Sequence, residues 1–158
     1  MDFFKNIDLF SVGIAIASIS ILGFIVFFSN RKSVTSKTFL SLSLIAVFYL
    51  IVNYLSYHVT SYILIFFLLR LVIFSALWYA FFVFQLFFVF PQDTIKFSKS
   101  YKFVLVPIII LISALTLTPF MFAGIEVYAP AGEVSVARTG PGIIVFGIMI
   151  IALIIFGL

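Results

Sequence analysis

Apolar runs long enough to cross a bilayer recur along this chain, and no other feature narrows its fold as much. A hydrocarbon core about 30 Å thick needs about 20 mostly apolar residues in a helix. Runs of this kind extend from Leu9 to Phe28, Phe39 to Tyr57, Ile63 to Phe90 and Phe103 to Phe122, and a fifth starts at Ile143 and reaches Leu158. The expected architecture is an all-α polytopic transmembrane helix bundle of five spans, a single domain over residues 1–158. The fifth run follows Gly140-Pro141-Gly142 and has no charged residue or interfacial anchor behind it. It reads as a helix cut short, and the chain as a C-terminally incomplete fragment, with a short tilted final helix as the alternative.

Composition excludes several classes of function. Of 158 residues, 65% are hydrophobic and 9% charged, with a mean hydropathy of +1.39, whereas soluble domains carry about 25% charged residues. Twenty-three phenylalanines could not be hidden inside a soluble fold of 17.8 kDa, so a cytosolic enzyme is ruled out. The absence of cysteine removes disulfides, thiolate nucleophiles and Cys-ligated clusters. A net charge of +4 suggests nucleic acid only if the basic residues share one face; here they are scattered through short loops, and no nucleic-acid partner is expected.

Those basic residues set an orientation instead, because short cytoplasmic loops are enriched in Lys and Arg. Arg31, Lys32 and Lys37 fall in the loop after the first run, and Lys96, Lys99 and Lys102 in the loop after the third. Both loops are expected to face the cytoplasm. The N-terminus has Lys5 beside Asp2 and Asp8, the second loop (His58 to Tyr62) has neither Lys nor Arg, and the fourth (Ala123 to Gly142) has Arg138 against Glu126 and Glu133. These are expected outside. A cleaved signal peptide is the rival reading of residues 1–28, but the run is too long and has Arg31 and Lys32 on the wrong flank. The localisation that follows is a cell membrane, crossed several times.

Several residues carry expectations about packing. Gly13 and Ala17 form a small-x-x-x-small pair that would let another helix approach, as generic packing rather than a dedicated dimer face. Pro107 sits where a helix start tolerates it, while Pro119 should kink the fourth span or end it at Thr118, with the Thr116 and Thr118 hydroxyls satisfying freed carbonyls. The third span, 28 residues and about 42 Å long, must tilt or protrude. Gln85 is expected to bridge helices, and aromatic residues such as Tyr79 to serve packing. Within residues 123–142, Ile125, Val127, Val134 and Val136 alternate with polar neighbours around Ala129-Pro130-Ala131-Gly132. That spacing suggests an outward β-hairpin pairing Val127 with Val134 and Ile125 with Val136, an irregular loop being the alternative.

Chemistry-bearing residues are sparse. Arg70 is the only charge well inside a run, and an arginine at bilayer depth costs at least about 2.5–3.5 kcal/mol, so it needs partners. If the second and third spans form a hairpin, Asn53, Tyr54, Tyr57 and His58 fall near it and make an outer polar cluster. That cluster is the expected ligand-binding site; the alternative is that Arg70 snorkels and fixes helix register. One histidine and five dispersed acids cannot assemble a metal centre. Without a zinc-protease helix motif, a nucleophile elbow, a P-loop or paired intramembrane carboxylates, no catalytic residue and no cofactor is expected.

The segment from Arg70 through Trp78-Tyr79-Ala80-Phe81-Phe82 to Phe90-Pro91 makes the pattern more specific. The chain resembles the N-terminal seven-transmembrane region of bacterial histidine kinases. That family typically shows an Arg early in its third helix, an aromatic run closing in Phe-Pro, a Pro just inside helix four, and a Thr-Pro exit into a glycine-bearing loop. Arg70, Phe90-Pro91, Pro107, Thr118-Pro119 and Gly124, Gly140, Pro141 and Gly142 match in that order, with Asn30-Arg31 and Asn53-Tyr54 also similar. The resemblance covers nearly the whole chain but lacks helices six and seven and any phosphoacceptor or ATP-binding segment.

The resemblance implies a membrane-embedded sensor or input module of two-component signal transduction in the bacterial inner (plasma) membrane, which would pass a ligand or membrane stimulus to a cytoplasmic output domain in the full-length protein. The chain itself is expected to be non-enzymatic. Its expected partners are the lipid bilayer, that output domain and, as an option, a second copy in a homodimer. A transporter or permease subunit and a non-sensing membrane scaffold are the alternatives.

Overall fold

The computed structural model describes residues 2–90, 97–127, 129, 133 and 135–157, the side chains of residues 2–6 and 157 excepted. Helix α1 spans Asp2–Ser29, α2 Val34–His58 and α3 Tyr62–Val89. A π-helical turn, Tyr101–Leu105, leads into α4, Val106–Thr116; strands β1 (Phe122–Val127) and β2 (Val136–Thr139) follow, and α5 is Gly142–Gly157. Among the described residues three helices are long and apolar enough to cross a membrane, Ile7–Ser29, Val34–His58 and Tyr62–Val89. The apolar helices Tyr101–Thr116 and Gly142–Phe156 are shorter. These helices are apolar on every side, so burial follows which neighbour each one meets rather than an amphipathic stripe.

Helix α3 is the hub. It packs against α2, α4, α5 and β1, while α1 lies on α2. The core unites Leu77, Phe81 and Phe84 of α3 with Ile109 and Ile112 of α4, Met121 of the following turn and Leu153 of α5. Toward the Val89 end of α3, Gln85 Nε2 donates to Thr38 Oγ1 at 3.4 Å and Thr35 Oγ1 to the Val89 carbonyl at 3.4 Å, joining α2 to α3 as expected of Gln85. There Tyr101 stacks on Phe97 at 4.5 Å between ring centroids and on Phe88 at 6.0 Å, tying the entry of α4 to α3. Outside this core, phenylalanines such as Phe10, Phe103 and Phe156 remain largely exposed, a surface that only an apolar surrounding would cover.

Close approach falls at a different glycine from the one expected. Gly13 meets nothing within 4 Å, and both it and Ala17 are exposed. A Cβ added at Gly23 would instead lie 2.7 Å from Ser43 Cβ and Oγ, so Gly23 is where α1 crosses α2. The reason is directional: α1 turns its Gly23 side to α2 and its Gly13 side outward.

The fourth run also ends earlier than Phe122. Helix α4 stops at Thr116, and Leu117 to Met121 form turns that lead into β1. Pro119 has no N–H to extend the helix and disfavours helical geometry at Thr118. The two threonines act as expected, Thr116 Oγ1 donating to the Ser113 carbonyl and Thr118 Oγ1 to the Leu115 carbonyl, both at 2.7 Å. At the other end, Pro107 cannot donate to the carbonyl four residues back, and the chain precedes it with a wider turn in which the Val106 N–H reaches the Tyr101 carbonyl.

A hairpin is present, with its register shifted. Ile125 pairs with Ala137 and Val127 with Val136, in place of the expected Ile125–Val136 and Val127–Val134 pairs. Irregularities between Phe122 and Gly124 and between Ile125 and Val127 consume the offset. Val134 and most of the expected turn (Pro130, Ala131 and Gly132) lie outside the described residues, as does Lys96 of the second basic loop. The base of the hairpin, not its valines, supplies the buried part: Met121 and Phe122 are buried, while Val127 and Val136 are exposed. Gly140 N donates to the Met121 carbonyl at 2.7 Å and Gly142 N to the Phe120 carbonyl at 3.0 Å. A Cβ at Gly140 would run into the Phe120 carbonyl, which explains why glycine occupies this position.

Candidate functional site

The Tyr62 end of α3 builds the site around one column of side chains. Tyr62, Phe66 and Arg70 follow one another at four-residue spacing and so share a helix face. The rings of Tyr62 and Phe66 stack at 6.4 Å, and the Arg70 guanidinium lies over the Phe66 ring at 4.1 Å. Strand β1 runs along this face: a Cβ at Gly124 would come within 3.8 Å of the Tyr62 hydroxyl.

Arg70 reaches across to the end of α4. Its Nη1 donates to the Leu117 carbonyl and its Nη2 to the Phe122 carbonyl, both at 3.1 Å. Leu117 is the residue just past α4, where helix carbonyls lack internal partners and the helix dipole is negative, so a cation is favoured there. One half-buried guanidinium thus ties α3 to the C-terminus of α4 and to the first residue of β1. Both acceptors are neutral carbonyls, and Arg70 Nε is buried without a hydrogen-bond partner. The site therefore holds a positive charge whose hydrogen bonds go to dipoles.

The other expected members form a group of their own at the end of α2. His58 Nδ1 bonds the Tyr54 carbonyl at 2.9 Å, and the two rings stack at 4.1 Å. Asn53 contributes its carbonyl to Ser56 Oγ at 2.7 Å. Asn53, Tyr54, Tyr57 and His58 are all half-buried. The structure brings Tyr54 and His58 together, and places Arg70 with Phe66, Leu117 and Phe122. The α2–α3 connection puts both groups at the same end of the molecule. The sequence could not show that Arg70 bonds the α4–β1 junction, because both acceptors are backbone atoms and carry no residue-type signal.

Two cavities open beside α3 toward its middle. One of about 380 Å³ lies among α1, α2 and α3, lined by Ile19, Ala46, Tyr49, Leu50, Ala76 and Tyr79. An apolar one of about 420 Å³ lies between α3 and α5 and shares Ala76 and Tyr79 with the first. Tyr79, expected only to pack, is 43% exposed and lines both. Two tyrosines far from helix ends were the available signal for this feature.

Comparison of the chain with known protein families, with characterised proteins and with solved structures finds no match.

Proposed function

We propose that the chain is the membrane-embedded input module of a bacterial signal-transduction protein, of the kind its resemblance to the histidine-kinase seven-transmembrane region implies. In this reading α1 to α5 are five spans, the N-terminus and the β1–β2 hairpin face outside, and the loops carrying Arg31, Lys32, Lys37, Lys99 and Lys102 face the cytoplasm. The shorter α4 and α5, 11 and 16 residues, span with help from the π-turn and from local thinning of the bilayer. The observation that carries the reading is the Arg70 bridge. A stimulus at the outer cluster of Arg70, Asn53, Tyr54, Tyr57 and His58 would move the hairpin base, and Arg70 would pass that movement to α3. Helix α3 then runs unbroken to the inner end, where Gln85, Val89 and Phe88 engage α2 and the entry of α4. A ligand acts on such an assembly through unequal affinity for two helix arrangements. In this reading the signal passes to a cytoplasmic output domain.

The reading is tested with spin labels on cysteines placed at Ser33 and Lys99 of the full chain in lipid nanodiscs, with and without Arg70→Ala. The expected result is a changed distance distribution between the inner loops when the outer bridge is removed, with far-ultraviolet helicity retained. An unchanged distribution in a folded variant would contradict coupling through Arg70. Solute flux above background from reconstituted vesicles would favour a permease instead.

A further inference from the structure

The cavity among α1, α2 and α3 presents an anomaly that the outer cluster does not absorb. Tyr49 and Tyr79 both line it, and among the described residues neither phenol has a hydrogen-bond partner. By helical rise each lies about 14 Å or more from the nearer end of its helix. Membrane tyrosines concentrate at the interfaces, where the hydroxyl meets water or headgroups. A phenol held in hydrocarbon has no such partner, and an unmet polar group there costs free energy. The Tyr49 hydroxyl is not sealed from its surroundings and Tyr79 is 43% exposed, so neither side chain is closed to an incoming group. The remaining lining residues, Ile19, Ala46, Leu50 and Ala76, are aliphatic and uncharged. Ala46 and Ala76 keep the cavity open where larger side chains would fill it.

From this arrangement we infer that the cavity binds a neutral, bilayer-soluble compound carrying a carbonyl oxygen on an apolar ring, with the phenols of Tyr49 and Tyr79 as the donors. Each feature of the wall selects against a different alternative. With no basic side chain on the wall, a carboxylate or phosphate would have no counter-charge and would bear the full cost of burial. A plain hydrocarbon would leave both phenols unpaired. A carbonyl accepts two hydrogen bonds, matching two donors, and a flat ring suits aromatic walls. The volume, about 380 Å³, falls near the small end of ligand pockets. Entry is lateral, from the lipid. The site is separate from the Arg70 cluster and does not depend on the signalling role proposed above.

Trp78, the sole tryptophan, adjoins Tyr79 in sequence and serves as the reporter. The full chain in nanodiscs is titrated with decylbenzoquinone, a neutral carbonyl compound that quenches indole fluorescence. The expected result is a saturable quenching component above the linear one that partitioning produces. The Tyr49→Phe, Tyr79→Phe double variant removes two oxygens without changing the cavity walls, and should weaken the saturable component about tenfold or more. Ala76→Leu, which fills the cavity, should abolish it, and Arg138→Ala, at an exposed position on β2, should leave it in place. Purely linear quenching of the wild type, or saturable quenching of equal affinity in the double variant, would overturn the assignment.

Discussion

At the scale of single residues, the hydrogen bonds of Arg70 decide how the Tyr62 end of α3 holds together. Arg70→Ala would take a hydrogen bond away from each of the Leu117 and Phe122 carbonyls. The expected loss is about 1–3 kcal/mol, since each lost hydrogen bond to a charged group costs on that order and the Leu117 bond lies at an exposed rim. Denaturant unfolding in mild detergent would measure it, and Arg70→Lys should recover only part, because one ammonium cannot reproduce the planar fork. Glycines give a sharper contrast. Gly23→Val places its side chain against Ser43 and should cost about 1–3 kcal/mol by overpacking, whereas Gly13→Val meets open space and should be close to neutral. A thermal melt of the two variants side by side checks the difference. Equal effects would mean that α1 does not cross α2 at Gly23. The general presence of small residues in the first helix was readable beforehand, but not which one is covered, because an all-apolar helix gives no indication of its inward face.

Among the elements, the three long helices were legible because uninterrupted apolar runs leave a helix little alternative in lipid. Predicted and observed bounds for α3 differ by one residue at each end. The fourth run misled for a definite reason. Leu117, Phe120, Met121 and Phe122 are apolar and lengthen the run, yet they serve a turn and a strand, because Pro119 denies the helix its next hydrogen bond. Hydrophobicity alone does not distinguish those uses. The hairpin was legible from its alternation and its register was not, since the two irregularities in β1 are backbone events with no side-chain signature. Gly140 anchors this element. Gly140→Ala should push the Phe120 carbonyl away, break the Gly140–Met121 hydrogen bond and loosen the junction of β2 with α5. Faster hydrogen exchange at residues 122–127 and 136–139, with α2 and α3 unaffected, is the expected reading. Uniform protection across the hairpin would show that the close approach is dispensable.

For the whole molecule, the group of residues expected around Arg70 was only partly legible. The sequence placed Arg70, Asn53, Tyr54, Tyr57 and His58 at one end, and the structure keeps them there while giving Arg70 backbone partners on α4 and β1. The mid-helix cavity became visible only when α1, α2 and α3 were assembled, because its walls come from three separate helices. Both features depend on one premise, that the helices cross a bilayer with the Arg31–Lys37 and Lys99–Lys102 segments on the cytoplasmic side. The chain contains no cysteine, so a single introduced thiol reports its side of the membrane without background. Lys99→Cys and Arg138→Cys, two exposed positions in consecutive connections, are treated in intact cells with a thiol reagent that cannot cross the membrane. The account predicts labelling of the Arg138 variant in intact cells and of the Lys99 variant only after permeabilisation; labelling of both in intact cells, or of Lys99 alone, would contradict it.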